Sequence, residues 1–128
     1  MINKISKEIH ENAKSKGFFD TEKNIGEMLC LIHSEVSEAL EADRKNHYAV
    51  KSWNIENIDL NDLDSPSKKQ YFKREFEVAI KNSFEDELAD IMIRVMDLAA
   101  FKGINLEQHI HWKMKYNSLR EHKHGKKY

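Results

Sequence analysis

The segment between about residues 84 and 102 restricts the possible folds most, because as a helix it is apolar around most of its circumference. Its apolar residues are Leu88, Ala89, Ile91, Met92, Ile93, Val95, Met96, Leu98 and Ala99. A helix of this kind needs apolar neighbours on several sides. We therefore expect it in the middle of a helical bundle or at a subunit interface.

Four other segments predict helices around it. Apolar residues recur at three- and four-residue steps from Ile2 to Ala13, and further helices are predicted over about 25–46, over 66–82 and from Asn105 to about Leu119. The chain contains only 4 Gly and 1 Pro, so little interrupts these helices. Residues 47–64 lose the periodicity and predict an irregular connection. We therefore expect an all-α fold in one domain, 1–128, with an antiparallel four-helix bundle core and an inserted helical segment at 45–83.

Local signals mark several helix ends. Ser65 before Pro66 predicts an N-cap followed by proline at the first helical position. Ser83 with Asp86 resembles a capping box, and Asn105 is expected to cap the last helix. Gly17 and Gly103 are expected stops for the helices before them.

Charge and cysteine content exclude several classes of protein. The formal net charge is −1, so no global basic field recruits nucleic acid, and residues 120–128 predict a basic, mobile tail. The single cysteine, Cys30, lies in an apolar run, and we expect a packed core thiol in a reducing cytoplasm. No apolar stretch is long enough to span a bilayer, so no membrane partner is expected.

Two pairs of acids lie where apolar residues are expected. Glu35 falls inside the apolar stripe of the second helix and Glu38 at its edge, three residues on. Glu87 and Asp90 repeat this spacing on the apolar helix. Carboxylates facing a core repel each other unless a cation compensates them. Mg²⁺, which prefers oxygen ligands and binds phosphates, is the natural candidate, with Mn²⁺ as a substitute.

Ordinary salt bridges are the alternative explanation of these acids, and Arg94 lies on the same strip as Asp90. Other chemistries are poorly represented. No HExxH pattern, phosphate-binding glycine loop or evident catalytic triad occurs. Phe18, Phe19 or Trp53 would be available to stack on a base, although each is more often a core residue.

The motifs resemble those of the MazG-like, all-α nucleoside triphosphate pyrophosphatase superfamily. The resemblance lies in residues 16–20 (KGFFD), residues 31–42 (LIHSEVSEALEA), residues 84–99 (FEDELADIMIRVMDLA), residues 113–117 (KMKYN), Arg120, and residues 123–127 (KHGKK). The segment between the acidic pairs is longer than in compact members. Glu121 stands where similar tails often carry proline.

The resemblance implies a nucleoside triphosphate pyrophosphohydrolase that forms a homodimer or homotetramer and cleans the nucleotide pool. It implies Mg²⁺ binding by Glu35, Glu38, Glu87 and Asp90. The residues implied to contact the nucleotide or its phosphates are Lys113, Asn117, Arg120 and Lys123, with Phe18 as a further substrate-binding candidate. Our first choice of general base is Glu38, with Glu35 as the second catalytic carboxylate.

The competing hypothesis is a non-enzymatic helical interaction or regulatory protein with a relict fold of this kind. Its acidic strips would form interhelical salt bridges, and its apolar helix would be an interface. A nucleic-acid binder that uses the basic tail is weakly supported, because no basic helical stripe accompanies that tail.

Overall fold

The computed structural model describes the backbone of residues 1–128 and every side chain except that of His124. The described chain is all-α and contains no strand. Its elements are α1 (Ile2–Ser15), α2 (Ile25–Arg44), α3 (Trp53–Glu56), α4 (Pro66–Ala79), α5 (Phe84–Phe101), α6 (Leu106–Ser118) and a 3₁₀ helix (His122–Gly125). The all-α part of the predicted fold is confirmed, whereas the antiparallel four-helix core with an inserted helical segment stays a prediction. In the part of the chain that is described, no helix combines the length and apolarity needed to cross a bilayer.

The chain divides into two compact units. The first unit consists of Met1–Met28 and Ile93–Tyr128, and the second unit is Leu29–Met92. Helices α2 and α5 each contribute to both. The organisation of residues 1–128 as a single domain stays a prediction.

In the first unit, polar groups join the start of α1 to the start of α6. The Met1 amino group binds the Glu107 carboxylate at 3.0 Å. The Asn3 side chain donates to the Asn105 side chain at 2.7 Å and accepts from the Glu107 backbone N–H at 3.2 Å. These bonds satisfy groups at a helix N-terminus that would otherwise lack partners.

An aromatic cluster packs around a histidine–aspartate pair in the same unit. His10 Nδ1 lies 2.8 Å from Asp97 Oδ1, and both side chains are mostly buried. The ring of Phe19 contacts His10 edge-on at 4.6 Å between centroids and Phe101 at 5.2 Å. The inward-facing Asp97 therefore has a partner inside the fold.

In the second unit, backbone bonds fix the connection between α2 and α4. The Phe84 N–H donates to the His47 carbonyl, and the Val50 N–H donates to the Ala79 carbonyl. The Ala49 N–H donates to Glu85 Oε2 at 2.8 Å. The prediction of an irregular connection over 47–64 is wrong at α3, a single helical turn. Its four residues are too few to produce a detectable period.

The predicted helix ends are largely confirmed. Gly17 follows α1 with φ +85°, a left-handed conformation in which glycine is least strained. Ser65 Oγ accepts from Lys68 N–H at the start of α4, and Asn105 Oδ1 accepts from Gln108 N–H at the start of α6.

The cap of α5 differs slightly from the predicted box. Ser83 Oγ accepts from Asp86 N–H, but the Asp86 carboxylate accepts from the N–H of Asn82 rather than from that of Ser83. Two side-chain hydrogen bonds therefore fix the turn before α5. The bond to Ser83 Oγ is the expected one, and the bond to the Asp86 carboxylate comes from the residue before the expected donor.

The second helix has two apolar stripes, and only one of them is buried within the chain. The buried positions of α2 are Met28, Glu35, Ala39 and Ala42. About 110° around the helix, Leu29, Val36 and Leu40 form a second stripe whose members are 47–49% exposed.

The expectation that Cys30 is a core thiol is wrong: it is exposed. An apolar run of five residues winds around more than one turn, so it cannot all face one core.

Candidate metal centre

Helices α2 and α5 place their acidic pairs in the second unit. The spacing of three puts the members of each pair on adjoining positions of one helix face. Glu35 and Glu87 are buried, at 7% and 6% exposure. Glu38 is exposed, and Asp90 is half-buried. The predicted burial of Glu35, with Glu38 at the stripe's edge, is therefore confirmed.

Three of these carboxylates converge. One oxygen each from Glu35, Glu38 and Glu87 can be chosen so that all three atoms lie within 4.8 Å of one another. Asp90 is close enough to act on the cluster by its charge, but it does not belong to this closest set. We call these four residues the acidic cluster.

Burial and mutual repulsion make the acidic cluster hard to ionise. Burial, followed by the charges of Glu38, Asp90 and Glu35, raises the pKa of Glu87 to about 7. A hydrogen bond with Glu35 and the charge of that residue raise the pKa of Glu38. Because its pKa is about 7, Glu87 is partly protonated at neutral pH, and a bound cation would displace that proton.

One atom of the acidic cluster is buried without a partner. Glu87 Oε2 is shielded from solvent and accepts no hydrogen bond from any described residue, although the Glu87 carboxyl group as a whole has a side-chain hydrogen bond with Glu38. A buried carboxylate oxygen in this state is costly, because it has lost its water without gaining a donor.

The donor set suits a hard divalent cation. All of its ligand atoms are carboxylate oxygens, which Mg²⁺ and Mn²⁺ prefer over nitrogen or sulfur ligands. A cation bound here would neutralise the repulsion and give Glu87 Oε2 a partner. Glu38, at the exposed edge, remains accessible to water and to a substrate.

The other predicted substrate-binding residues belong to the first unit. Lys113 Nζ and the Arg120 guanidinium each lie over the ring of Tyr116, at 5.0 and 5.5 Å from its centroid. Asn117 Oδ1 is buried without a hydrogen-bond partner among the described residues. Lys123 is exposed in the 3₁₀ helix. Their role in a common site with the acidic cluster stays a prediction.

The three aromatic candidates for base stacking differ in exposure. Phe19 packs against His10 and Phe101, so its ring is part of the first unit's interior. Phe18 and Trp53 are exposed, and Lys23 Nζ lies 5.9 Å from the ring centroid of Phe18. Only Phe18 and Trp53 therefore offer a free face.

A groove that the sequence did not reveal runs between α4 and the start of α5. Its volume is about 570 Å³. The residues that line it are Phe72, Lys73, Phe76, Glu77, Lys81, Asn82, Asp86 and Asp90. Asp90 is thus shared by the groove and the acidic cluster. The apolar spacing of Phe72 and Phe76 predicted a packing role, and no motif marked them as candidates for ligand binding.

No protein-family model, curated protein or solved structure matches this chain. The resemblance to the MazG-like superfamily therefore rests on the motifs alone. The geometry of the acidic cluster is independent of that resemblance, because it depends only on the positions of the four side chains.

Proposed function

We propose that this chain is a Mg²⁺-dependent nucleoside triphosphate pyrophosphohydrolase that converts a nucleotide to its monophosphate and pyrophosphate. The resemblance to the MazG-like superfamily, with its four-helix core, suggests the reaction. The role would be cleaning of the nucleotide pool in the cytoplasm.

One observation carries the proposal: the buried, unpartnered oxygen of Glu87 in a cluster of carboxylates. Acids that serve only structure are expected to be paired, because an unsatisfied buried oxygen destabilises the fold. A divalent cation is the simplest ligand that satisfies Glu87 Oε2 and offsets the repulsion from Glu35 and Glu38.

The residues divide the work according to their burial. Glu35 and Glu87, both buried, would hold the cation rigidly, with Glu38 and Asp90 as its further ligands. A bound Mg²⁺ supplies positive charge to the phosphate oxygens on which negative charge develops. Glu38 is exposed and lies beside the other two carboxylates, so it is our candidate to orient a water and accept its proton. Lys113 and Arg120 would stabilise the departing pyrophosphate.

A homodimer or homotetramer is part of the proposal. Leu29, Val36 and Leu40 are half-exposed along one face of α2, and Leu88 and Met92 are similarly exposed on α5. Apolar stripes of this kind commonly mark protein–protein interfaces. We expect sedimentation velocity to show no monomer at micromolar concentration, and a stable monomer would contradict this part.

Pyrophosphate release from a panel of ribo- and deoxyribonucleoside triphosphates, with Mg²⁺, Mn²⁺ or EDTA, tests the activity. We expect release from one or a few of them with metal and none with EDTA. No release from any nucleotide, together with no thermal stabilisation by Mg²⁺, would favour the interaction protein instead.

A further inference from the structure

The groove between α4 and α5 has the size of a small-molecule site and lies at the acidic cluster. Its volume of about 570 Å³ is within the range of roughly 300–1,000 Å³ that ligand pockets occupy. Asp90 lines the groove, and its charge acts on Glu38 and Glu87. A ligand in this groove would therefore lie beside a cation bound at the acidic cluster.

The groove carries positive charge that the fold does not use. Lys73 and Lys81 line it, and neither side-chain ammonium group forms an ion pair or hydrogen bond within the described part of the chain. Three carboxylates line the same groove, yet neither ammonium group forms an ion pair with one of them. Asp86 accepts a bond from the Asn82 N–H at 2.8 Å, which occupies one of those carboxylates. The two ammonium groups are available to an anion.

An aromatic surface lies beside these charges. Phe72 and Phe76 are one turn apart on α4, with ring centroids 6.0 Å apart, and both are half-buried. Half-buried aromatic rings that line a groove present apolar area on which a planar ligand can pack. Few ligands combine a flat ring with several negative charges and an affinity for divalent cations, and a nucleoside triphosphate is one of them.

We propose that the groove is the nucleotide-binding subsite, with Lys73 and Lys81 contacting phosphate oxygens and Phe72 and Phe76 packing against the base. The inserted segment would therefore supply part of substrate recognition, in addition to Lys113 and Arg120, and the acidic cluster would supply the chemistry. This inference rests on the proposed function, because it assumes that the substrate is a nucleoside triphosphate.

The test compares two probes with Mg²⁺ in isothermal titration calorimetry. One is inorganic triphosphate, and the other is the α,β-imido analogue of the best nucleotide in the hydrolysis panel. The K73A/K81A variant should bind both probes about tenfold or more weakly, because both carry the phosphates. Phe76→Leu should bind the nucleotide analogue about 5- to 50-fold more weakly and inorganic triphosphate normally, since only the analogue has a base to pack.

Lys69→Ala is the matched control, because Lys69 is exposed on the same helix and does not line the groove. Circular dichroism of each variant checks that the helices persist, and Phe76→Leu retains an apolar side chain. If the wild-type protein hydrolyses nucleotides but the groove variants bind both probes as tightly as K69A, the groove is not the nucleotide-binding subsite. The proposed function would still stand. A wild-type protein that neither hydrolyses a nucleotide nor binds inorganic triphosphate with Mg²⁺ would overturn both.

Discussion

Helix α5 carries two inward-facing acids that the fold treats in opposite ways. Asp97, in the first unit, lies 2.8 Å from Nδ1 of His10, whose ring packs against Phe19. Glu87, in the second unit, lies among other carboxylates, and its Oε2 atom has no hydrogen-bond partner among the described residues.

We interpret the difference as that between a structural acid and a candidate metal-binding acid. A carboxylate with a buried histidine partner is satisfied by the chain itself and helps to fix one helix against another. A carboxylate that the chain leaves unsatisfied is stable only because something outside the chain completes it, or because the rest of the fold tolerates the cost. Exchanging or removing each acid therefore tests whether the distinction is real.

The largest expected effect is on turnover. Glu87→Gln or Glu35→Gln should lower metal-dependent pyrophosphate release by roughly 100-fold or more, because each removes a charge that would hold the cation. Asp97→Asn should keep turnover within about threefold, because Asp97 pairs with His10 rather than with a ligand. Steady-state hydrolysis at saturating Mg²⁺ measures all three variants. Equal losses of turnover in E87Q and D97N would show that the two acids do not differ in role.

The second effect is a pH dependence of stability in the metal-free protein. Folding raises the pKa of Glu87 from 4.5 to about 7, so the folded state favours its protonated form. The stability that the folded state gains from protonated Glu87 is fully present below pH 4.5 and is lost as the pH rises through about 7. In EDTA, the wild-type unfolding free energy should therefore fall over that interval by on the order of 2 kcal/mol more than that of E87Q.

Thermal and urea unfolding at several pH values would measure this slope. Adding Mg²⁺ at pH 7 should restore stability to the wild type but not to E87Q, since the cation replaces the proton. Identical pH profiles for the two proteins would mean that Glu87 is not the group that titrates.

The smallest effect is expected at the structural pair. His10→Ala removes the partner of Asp97 and a ring contact with Phe19, and should lower the unfolding free energy by about 1–2 kcal/mol. The additional stability that Mg²⁺ provides should be the same as in the wild type. Urea unfolding with and without Mg²⁺ gives both quantities, and a lost Mg²⁺ response would show that the pair also serves the metal centre.

Local patterns predicted the helices and the acids well, for a physical reason. Periodicity and caps act within a few residues, so Ser65, Asn105 and Gly17 end or begin helices where the sequence indicates. The burial of Glu35 follows equally from its angular position on α2. These features need no knowledge of which helix packs on which.

The features that were missed or wrong depend on distant parts of the chain. The exposure of Cys30 depends on which of the two apolar stripes of α2 packs against the rest of its chain. The groove arises where Phe76 on α4 and Asp90 on α5 come together, and no spacing in the sequence connects them. Periodicity identifies an apolar face, but tertiary packing decides what that face contacts.

The turn between α4 and α5 has a consequence for how fast a ligand can enter the groove. Ser83 is fully buried at 0% exposure. Its hydroxyl accepts a hydrogen bond from the Asp86 N–H, and the Asp86 carboxylate accepts one from the Asn82 N–H, so two bonds hold the turn. These bonds restrict the turn that joins the two walls of the groove, so we expect the walls to be preorganised in the free protein. Association there should approach the rate of simple diffusional encounter, and tight ligands should differ from weak ones mainly in how slowly they leave.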